Sequence, residues 1–286
     1  MVKKPEIIIE AKALEFNYPG DSLNRSSAIN GIDMTVNRGE YLAIIGPNGS
    51  GKTTLLKLFN ALLAPSGGEV LVEGISTVDH EKVPLIRRSC GMIFQNPDNQ
   101  LVATTVEEDI AFGLENLALP SAEIRQRVTE VAQRLHLDKL LLHPPHLLSG
   151  GEKQRVAIAG ILAMQPRCIL MDEPTAMLDP SGRREVLDTV KALNREEGIA
   201  IIHVTHFPEE AAHADRVLVL NQGEVVKDGP AEIILTDLEM LHSYNLQGTA
   251  VVELAALLRQ DGFNLPTRIL HNRELVNSLC QYERKS

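Results

Sequence analysis

The chain has no tryptophan, few other aromatic residues and only three cysteines among its 286 residues. Cys90, Cys168 and Cys280 are odd in number and widely separated, so the sequence favours neither a disulfide framework nor a zinc site. No apolar run approaches the roughly 20 residues of a membrane-spanning helix, and the apolar part of the N-terminus is too short for a signal peptide. We therefore expect a protein of the reducing cytosol that meets a membrane only through a partner.

Basic residues are also fewer than acidic ones. Lys and Arg number 28 against 38 Asp and Glu, which gives a formal charge of −10. Such a surface repels phosphodiester backbones unless its basic residues cluster, and no cluster is evident, so we expect no nucleic-acid partner. The 44% of apolar residues is enough for a sizeable core, either one large domain or a core domain with an appendage.

The most informative stretch matches G-x-x-x-x-G-K-[ST] at positions 46–53, between an apolar run and a segment that can continue as a helix. Gly46, Gly49 and Gly51 allow backbone amides to turn toward an oxyanion at the positive end of that helix. A triphosphate fits this arrangement, with Lys52 on the β- and γ-phosphates and the Thr53 hydroxyl on Mg²⁺. The motif alone leaves open an ordinary glycine-rich turn.

Two acids and a histidine follow predicted buried strands. Asp172 and Glu173 end the strand at 168–171, and His206 follows the strand at 199–204. The carboxyl ends of such strands face one crevice in an open α/β sheet. One acid can hold hydrated Mg²⁺ and the other can orient or deprotonate water. An imidazole there can stabilise transferring charge, although a lone histidine is usually satisfied by the backbone.

Three further features are weaker. Gln95 ends the apolar strand at 90–94, where a glutamine is ordinarily just solvated. Tyr18 lies in a predicted loop, either covering the core or stacking on adenine. Ser149 and the two glycines after it precede a helix, which makes them either a second anion site or an ordinary N-cap.

Alternating strands and helices predict an α/β fold with a largely parallel sheet and covering helices, while the N-terminal strands add an antiparallel part. Ser121 is predicted to cap a helix with an apolar stripe on one face. Another amphipathic helix is predicted at 249–259, beyond this core.

Six segments resemble the nucleotide-binding subunits of ABC transporters in order and spacing: GPNGSGKTT, FQNPDNQ, LSGGEKQRV, CILMDEP, MLDP and VTH. The resemblance covers roughly residues 6–235. It implies a P-loop NTPase core of the ABC type, with a mainly parallel sheet, an N-terminal antiparallel β part and a helical signature subdomain at about 96–165. We expect an ATP-binding domain over 1–235 and a small C-terminal helical appendage over 236–286.

The resemblance also implies roles. Glu173 would be the general base, Asp172 would bind Mg²⁺ through water, Gln95 would contact Mg²⁺ and the attacking water, and His206 would contact the γ-phosphate. ATP would be bound by Tyr18, by the loop residues Gly46, Pro47, Asn48, Gly49, Ser50, Gly51, Lys52, Thr53 and Thr54, and, from a second subunit, by Ser149, Gly150 and Gly151. One chain therefore would not complete a site.

FQNPDNQLVATTVEEDIAFGLEN, with GFNLP near RELVNSL, resembles the A component of energy-coupling factor (ECF) importers of vitamins and metal ions, in the cobalt-type branch. That implies a second A subunit, a transmembrane T component and a membrane-embedded substrate-binding S component, at the cytoplasmic face of the membrane. Ala176 stands where the family often has Ser, and Glu152-Lys153 replaces the commoner pair of glutamines.

Alternatives remain at this point. The chain could be the ATPase of another ABC importer or exporter. A soluble ABC ATPase of DNA repair or translation is less consistent, because those carry coiled-coil insertions or two cassettes, and a non-hydrolytic switch conflicts with Asp172-Glu173. The appendage either packs on the core or joins two A subunits. The transported solute, and the choice between homodimer and heterodimer, are not encoded in this pattern.

Overall fold

The computed structural model describes residues 6–19 and 27–283. Its strands are β1 (Ile7–Phe16), β2 (Ile29–Asn37), β3 (Tyr41–Ile45), β4 (Gly67–Val72), β5 (Ile75–Ser76), β6 (Cys90–Ile93), β7 (Cys168–Asp172), β8 (Ala200–Val204), β9 (Arg216–Asn221) and β10 (Glu224–Pro230). Its helices are α1 (Lys52–Phe59), α2 (Val83–Ser89), α3 (Val106–Asn116), α4 (Ser121–Arg134), α5 (Gly150–Ala163), α6 (Pro180–Glu197), α7 (Pro208–Ala211), α8 (Ala231–Ile234), α9 (Leu238–Ser243), α10 (Ala250–Gln260) and α11 (Asn272–Glu283). None of these helices is both long and apolar enough to cross a membrane.

The strands form two sheets. The N-terminal one is antiparallel, in the order β2-β1-β4-β5, and the larger one has the order β10-β9-β3-β8-β7-β6. From β9 to β6 every neighbouring pair in the larger sheet is parallel, and β10 is added to β9 as an antiparallel hairpin. The predicted parallel sheet and antiparallel N-terminal part are both present. The loop predicted at 17–27 lies partly outside the described residues.

Strand β3 is buried along its whole length because the larger sheet is covered on both faces. Tyr41, Ala43 and Ile45 point into the core under helices α3 to α6, whereas Leu42 and Ile44 point into the core shared with α1 and the N-terminal sheet. Successive side chains of a strand face opposite sides, so one short apolar run contributes to both cores.

The segment between β6 and β7 is helical, with α3 and α4 packed against α5. The apolar stripe predicted for α4 faces the core, where Val128, Val131 and Leu135 are buried. The predicted cap is wrong: Pro120 is the N-cap, and Ser121 is the first helical residue. Pro120 has extended backbone angles and favours the helix start through its geometry, so no hydroxyl is needed there.

The C-terminal helices pack on the main α/β core. Val251, Val252 and Ala255 of α10 and Leu275 of α11 belong to the same apolar cluster as Tyr41 of β3. The amphipathic helix expected at 249–259 is α10, with Thr249 as its N-cap. The division of the chain at residue 235 remains a prediction.

Candidate active site

Four strands deliver the predicted site residues to one edge of the larger sheet. In spatial order β3, β8, β7 and β6 are neighbours and run parallel, so their carboxyl ends lie together. The P-loop follows β3, His206 follows β8, Asp172 and Glu173 end β7, and Gln95 follows β6. The sheet order thus brings together residues that are far apart in the sequence.

The P-loop holds Lys52 inside it. The Lys52 ammonium donates to the carbonyl oxygens of Gly46 at 2.8 Å and Pro47 at 3.0 Å, and the residue is only 5% exposed. Burial lowers the pKa of Lys52, while the carboxylates of Glu173 and Asp172 oppose that shift. If a triphosphate occupied this loop, its charged oxygens could accept hydrogen bonds from the same ammonium. Such charge-assisted bonds are stronger than those to carbonyl oxygens.

Helix α1 begins at the P-loop with a glycine that no other residue can replace without strain. Gly51 is its N-cap in the left-handed region, at φ +104°. A Cβ there would lie 2.4 Å from the Ala28 carbonyl oxygen. The backbone at position 51 can therefore adopt this conformation, in which its amide faces a ligand, only because glycine has no side chain.

Thr53 and Asp172 come together from α1 and β7. The Thr53 hydroxyl donates to Asp172 Oδ1 at 2.9 Å. Asp172 is 7% exposed, and burial raises its pKa, although the Thr53 hydrogen bond opposes the shift. A hydroxyl and a buried carboxylate at this distance are hard oxygen donors of the kind that Mg²⁺ prefers.

The other two predicted catalytic residues, His206 and Gln95, each contact one oxygen of the Glu173 carboxylate. Its Oε1 lies 2.6 Å from His206 Nε2, and its Oε2 accepts from Gln95 Nε2 at 3.0 Å. The Glu173 backbone is in the left-handed region at φ +51°, and its amide donates to the Val204 carbonyl at 3.0 Å. Strained conformations of this kind cluster at functional sites, where the surrounding structure enforces them.

Tyr18 lies at the rim of the same edge. Its hydroxyl and that of Thr54 are 3.1 Å apart, and its ring packs edge-on against Phe16 with centroids separated by 4.9 Å. Tyr18 is 42% exposed, so one ring face is accessible. The tyrosine is fixed next to the P-loop helix, as a base-stacking residue would need to be.

The Ser149 segment forms the capped start of α5. Ser149 and Glu152 make a capping box: the Glu152 amide donates to the Ser149 hydroxyl, and the Ser149 amide donates to Glu152 Oε2 at 2.8 Å. The ordinary N-cap reading of Ser149 is therefore correct in geometry. A helix start still presents free amides, so a cap and an anion site are compatible here.

The glycines after Ser149 also have a packing role that the sequence analysis did not anticipate. A Cβ at Gly151 would lie 3.2 Å from Gly182 Cα, and a Cβ at Gly150 would lie 3.1 Å from Leu178. The start of α5 thus rests directly on the start of α6. Only the spacing of glycines in two distant segments could have hinted at this contact.

The sequence analysis also did not anticipate the contacts of Lys153 and the burial of Glu210. Lys153 Nζ lies 2.7 Å from Asp98 Oδ1, which joins α5 to the turn after Gln95. Glu210 is buried behind the catalytic edge at 2% exposure, although its sequence context gives no sign of burial.

Comparisons with known proteins identify the family. The ABC transporter family model matches residues 29–176, which is just over half of the chain. The energy-coupling factor transporter ATP-binding protein EcfA1 of Clostridium perfringens is 50% identical over 277 residues, covering 96% of this chain and 99% of the relative. The chain belongs to the ATP-binding proteins of energy-coupling factor transporters. EcfA1 of Symbiobacterium thermophilum is 52% identical over 254 residues, covering 89% of this chain and 88% of that protein.

Solved structures place this ECF ATP-binding protein in the same fold. The cbiO1 structure from Clostridium perfringens, described as part of the ABC transporter complex cbiONQ, matches with a TM-score of 0.75 and 37% identity over 88% of this chain and 99% of that one. A dimeric post-hydrolysis state of the cassette MJ0796, bound to ADP and Pi, matches with a TM-score of 0.71 and 32% identity over 78% and 98%. The chain is an ATP-binding and ATP-hydrolysing subunit with the α/β P-loop fold.

Proposed function

We propose that this chain is the A component of an ECF importer of the cobalt-type branch, and that its ATP hydrolysis drives uptake of a vitamin or a metal ion. The observation that carries the proposal is the meeting of the P-loop, Asp172, Glu173, Gln95 and His206 at one sheet edge. The likeness to EcfA1 proteins and to cbiO1 supports the finer assignment.

ATP binds along the P-loop in this proposal. The amides of 46–51 and the Lys52 ammonium hold the phosphates, and Tyr18 stacks on adenine with its accessible ring face. Thr53 and Thr54 close the site from the first turn of α1, where the positive end of the helix favours the triphosphate.

The donor set around Thr53 fits Mg²⁺. Thr53 supplies a hydroxyl, Asp172 a carboxylate that acts through water, and Gln95 an amide oxygen. Mg²⁺ at a nucleotide site is usually held by one or two protein ligands, together with phosphate oxygens and water. When bound, Mg²⁺ supplies charge neutralisation at the phosphates.

Glu173 is the general base of this mechanism. Its carboxylate takes a proton from the water that attacks the γ-phosphate, and Gln95 and His206 orient the carboxylate by contacting one oxygen each. His206 Nε2 can also donate toward the γ-phosphate as charge develops there. The contact of 2.6 Å between His206 and Glu173 places both groups within reach of one water.

We further propose that a second A subunit, identical or related, completes each site. Ser149 and Gly150 are exposed at the N-terminus of α5, and with Gly151 they would contact the ATP held by the partner. The MJ0796 cassette, at 32% identity, is dimeric in its ADP and Pi state, which supports such a pairing. Closure would follow ATP binding, and hydrolysis would reopen the pair.

The proposed docking surface for the T component comprises the loop at 97–106, behind Gln95, and the helix that follows it, α3. Val102 is 67% exposed and Phe112 is 52% exposed, which is unusual for large apolar side chains. Their position next to Gln95 would connect a membrane partner with the catalytic edge. The chain would accordingly sit at the cytoplasmic face of the membrane as a peripheral subunit, beside the T and S components.

Co-purification from detergent-solubilised membranes tests the proposal. We expect an integral T component and a small substrate-binding protein to accompany the full-length chain, and the Val102→Asp and Phe112→Asp variants to lose both. Leu62→Asp is the matched control, because Leu62 is an exposed leucine that follows α1. Recovery of the chain without any membrane protein would contradict the assignment.

A further inference from the structure

Glu210 of α7 is a buried carboxylate without a role in the mechanism above. It is 2% exposed, and it lies behind the edge where Glu173 and His206 meet. Buried carboxylates are rare unless they are paired or hydrogen-bonded, because losing hydration is costly. Its partners therefore indicate what the residue does.

Each carboxylate oxygen of Glu210 accepts a hydrogen bond from a threonine hydroxyl, and the two threonines lie in different catalytic loops. Thr175 Oγ1 donates to Oε1 at 2.5 Å, and Thr205 Oγ1 donates to Oε2 at 2.5 Å. Both threonines are 1% exposed. Thr175 stands two residues after Glu173, and Thr205 immediately precedes His206. One carboxylate thus joins the loop of the base to the loop of the histidine.

A histidine and an arginine lie beside the carboxylate. His203 Nε2 lies 3.3 Å from Glu210 Oε2, and Arg183 Nε lies 3.7 Å from Oε1. The Arg183 guanidinium also stacks on the Phe207 ring at 3.7 Å from its centroid, next to His206. Burial would raise the pKa of Glu210, but His203 and the threonine hydroxyls lower it overall. The group is therefore held as an anion.

The far side of His203 is anchored as well. Its Nδ1 lies 3.0 Å from the Tyr41 hydroxyl at the start of β3, and His203 itself is fully buried. The network therefore runs from β3 through His203 and Glu210 to the ends of β7 and β8. The two threonine hydrogen bonds and the contact between His203 and Tyr41 connect these elements, and buried hydrogen bonds rigidify the groups that they join.

We propose that Glu210 is a positioning residue that sets the distance between Glu173 and His206 by holding Thr175 and Thr205 together. The inference rests on the proposed catalytic roles of those two residues. The strained φ of +51° at Glu173 needs such support, because an isolated loop would relax away from it. Glu210 does not touch the nucleotide in this account and acts only through the two loops.

Steady-state ATPase kinetics of the full-length chain, with any membrane partners that co-purify, test this. For Glu210→Gln we expect kcat to fall about 10- to 100-fold, because small displacements of catalytic groups have effects of that size. The KM for ATP should stay within about twofold. The matched control is Glu209→Gln, which removes the neighbouring, exposed carboxylate and should keep the parent kcat.

The threonines separate positioning from general stability. Thr205→Val removes the hydroxyl but keeps the shape, so kcat should fall, whereas Thr205→Ser keeps the hydroxyl and should restore most of it. In a His206→Ala background Glu210→Gln should add little further loss, since it acts partly through that histidine. The Thr205→Val and Thr205→Ser pair remains informative if Glu210→Gln does not fold.

The outcomes are distinct. A lower kcat with unchanged KM, unchanged thermal unfolding and rescue by serine supports the inference. An unchanged kcat in Glu210→Gln and Thr205→Val overturns it, and so does a joint loss of kcat, ATP affinity and stability without serine rescue. Glu173→Gln is measured in parallel: if it keeps the parent rate, the proposed mechanism itself fails, whatever the Glu210 variants show.

Discussion

Replacing Glu173 with Gln tests the chemistry at the centre of the site. The amide has the shape of the carboxylate, and its oxygen can keep one of the two contacts, to His206 at 2.6 Å or to Gln95 at 3.0 Å. It cannot accept a proton from water. The variant therefore loses general-base catalysis while the P-loop and Lys52 remain as they are.

The expected size of the loss follows from that difference. General acid–base catalysis by one positioned group contributes about 10²- to 10⁴-fold, and each factor of ten corresponds to about 1.4 kcal/mol in the barrier. We expect kcat for Glu173→Gln to fall by that range, which is a barrier higher by about 3–5 kcal/mol. ATP affinity should change by less than about threefold, because the base acts in the transition state.

Phosphate release under single-turnover and steady-state conditions measures the rate, and equilibrium binding of a fluorescent ATP analogue measures the affinity. Glu69→Gln is the control, because Glu69 is an exposed acid on β4. Hydrolysis by Glu173→Gln at the parent rate would refute the reasoning. A weaker nucleotide affinity with unchanged kcat would also refute it, since it would place Glu173 in ground-state binding.

Three further predictions concern the nucleotide rim, the P-loop and the junction with the C-terminal helices. Tyr18→Ala should weaken ATP binding about tenfold while Tyr18→Phe keeps it, because stacking on a base is worth about 1–3 kcal/mol; equal affinities for both variants would contradict stacking. Gly51→Ala should lower the free energy of unfolding, measured in urea titrations, by more than Gly49→Ala does. Both positions have a positive φ, which should cost Gly49→Ala about 1–2 kcal/mol, but only a Cβ at position 51 would also clash with a carbonyl oxygen. Equal losses in the two variants would argue against the clash. Burial and nearby cations lower the pKa of His213 in the folded protein to about 4. Its contribution to the free energy of unfolding is therefore fully present above the unfolded pKa near 6.5, and it is lost as the pH falls from there toward 4. His213→Gln should flatten that dependence by on the order of 1 kcal/mol, after allowance for solvent screening of a partly exposed group, and an unchanged slope would show that His213 does not titrate this way.

The strand-end residues could be predicted because parallel strands impose a simple rule. An apolar run followed by Asp172-Glu173, and another followed by His206, must deliver those side chains to the same edge as the P-loop. The order of the strands was not needed for this. The limits of α10 were predicted within one residue, since apolar periodicity marks this helix well.

The support behind the site could not be predicted in this way. Glu210 lies beside another glutamate and reads as solvated surface, and only the fold shows that two buried threonines and His203 lie against its carboxylate. The contact of Gly151 with Gly182 depends on how two helices cross, which no local pattern encodes. The positive φ of Glu173 likewise follows from tertiary packing, because propensity alone disfavours it.

The central claim is that each ATP is held between two chains of this kind. The direct test is the mass and subunit stoichiometry of Glu173→Gln saturated with Mg·ATP, measured by sedimentation both for the purified chain and for its detergent-solubilised membrane assembly. The account predicts a nucleotide-dependent pair of A-type subunits that separates when ATP is removed. A chain that stays monomeric in solution, and alone in its membrane assembly, would contradict it.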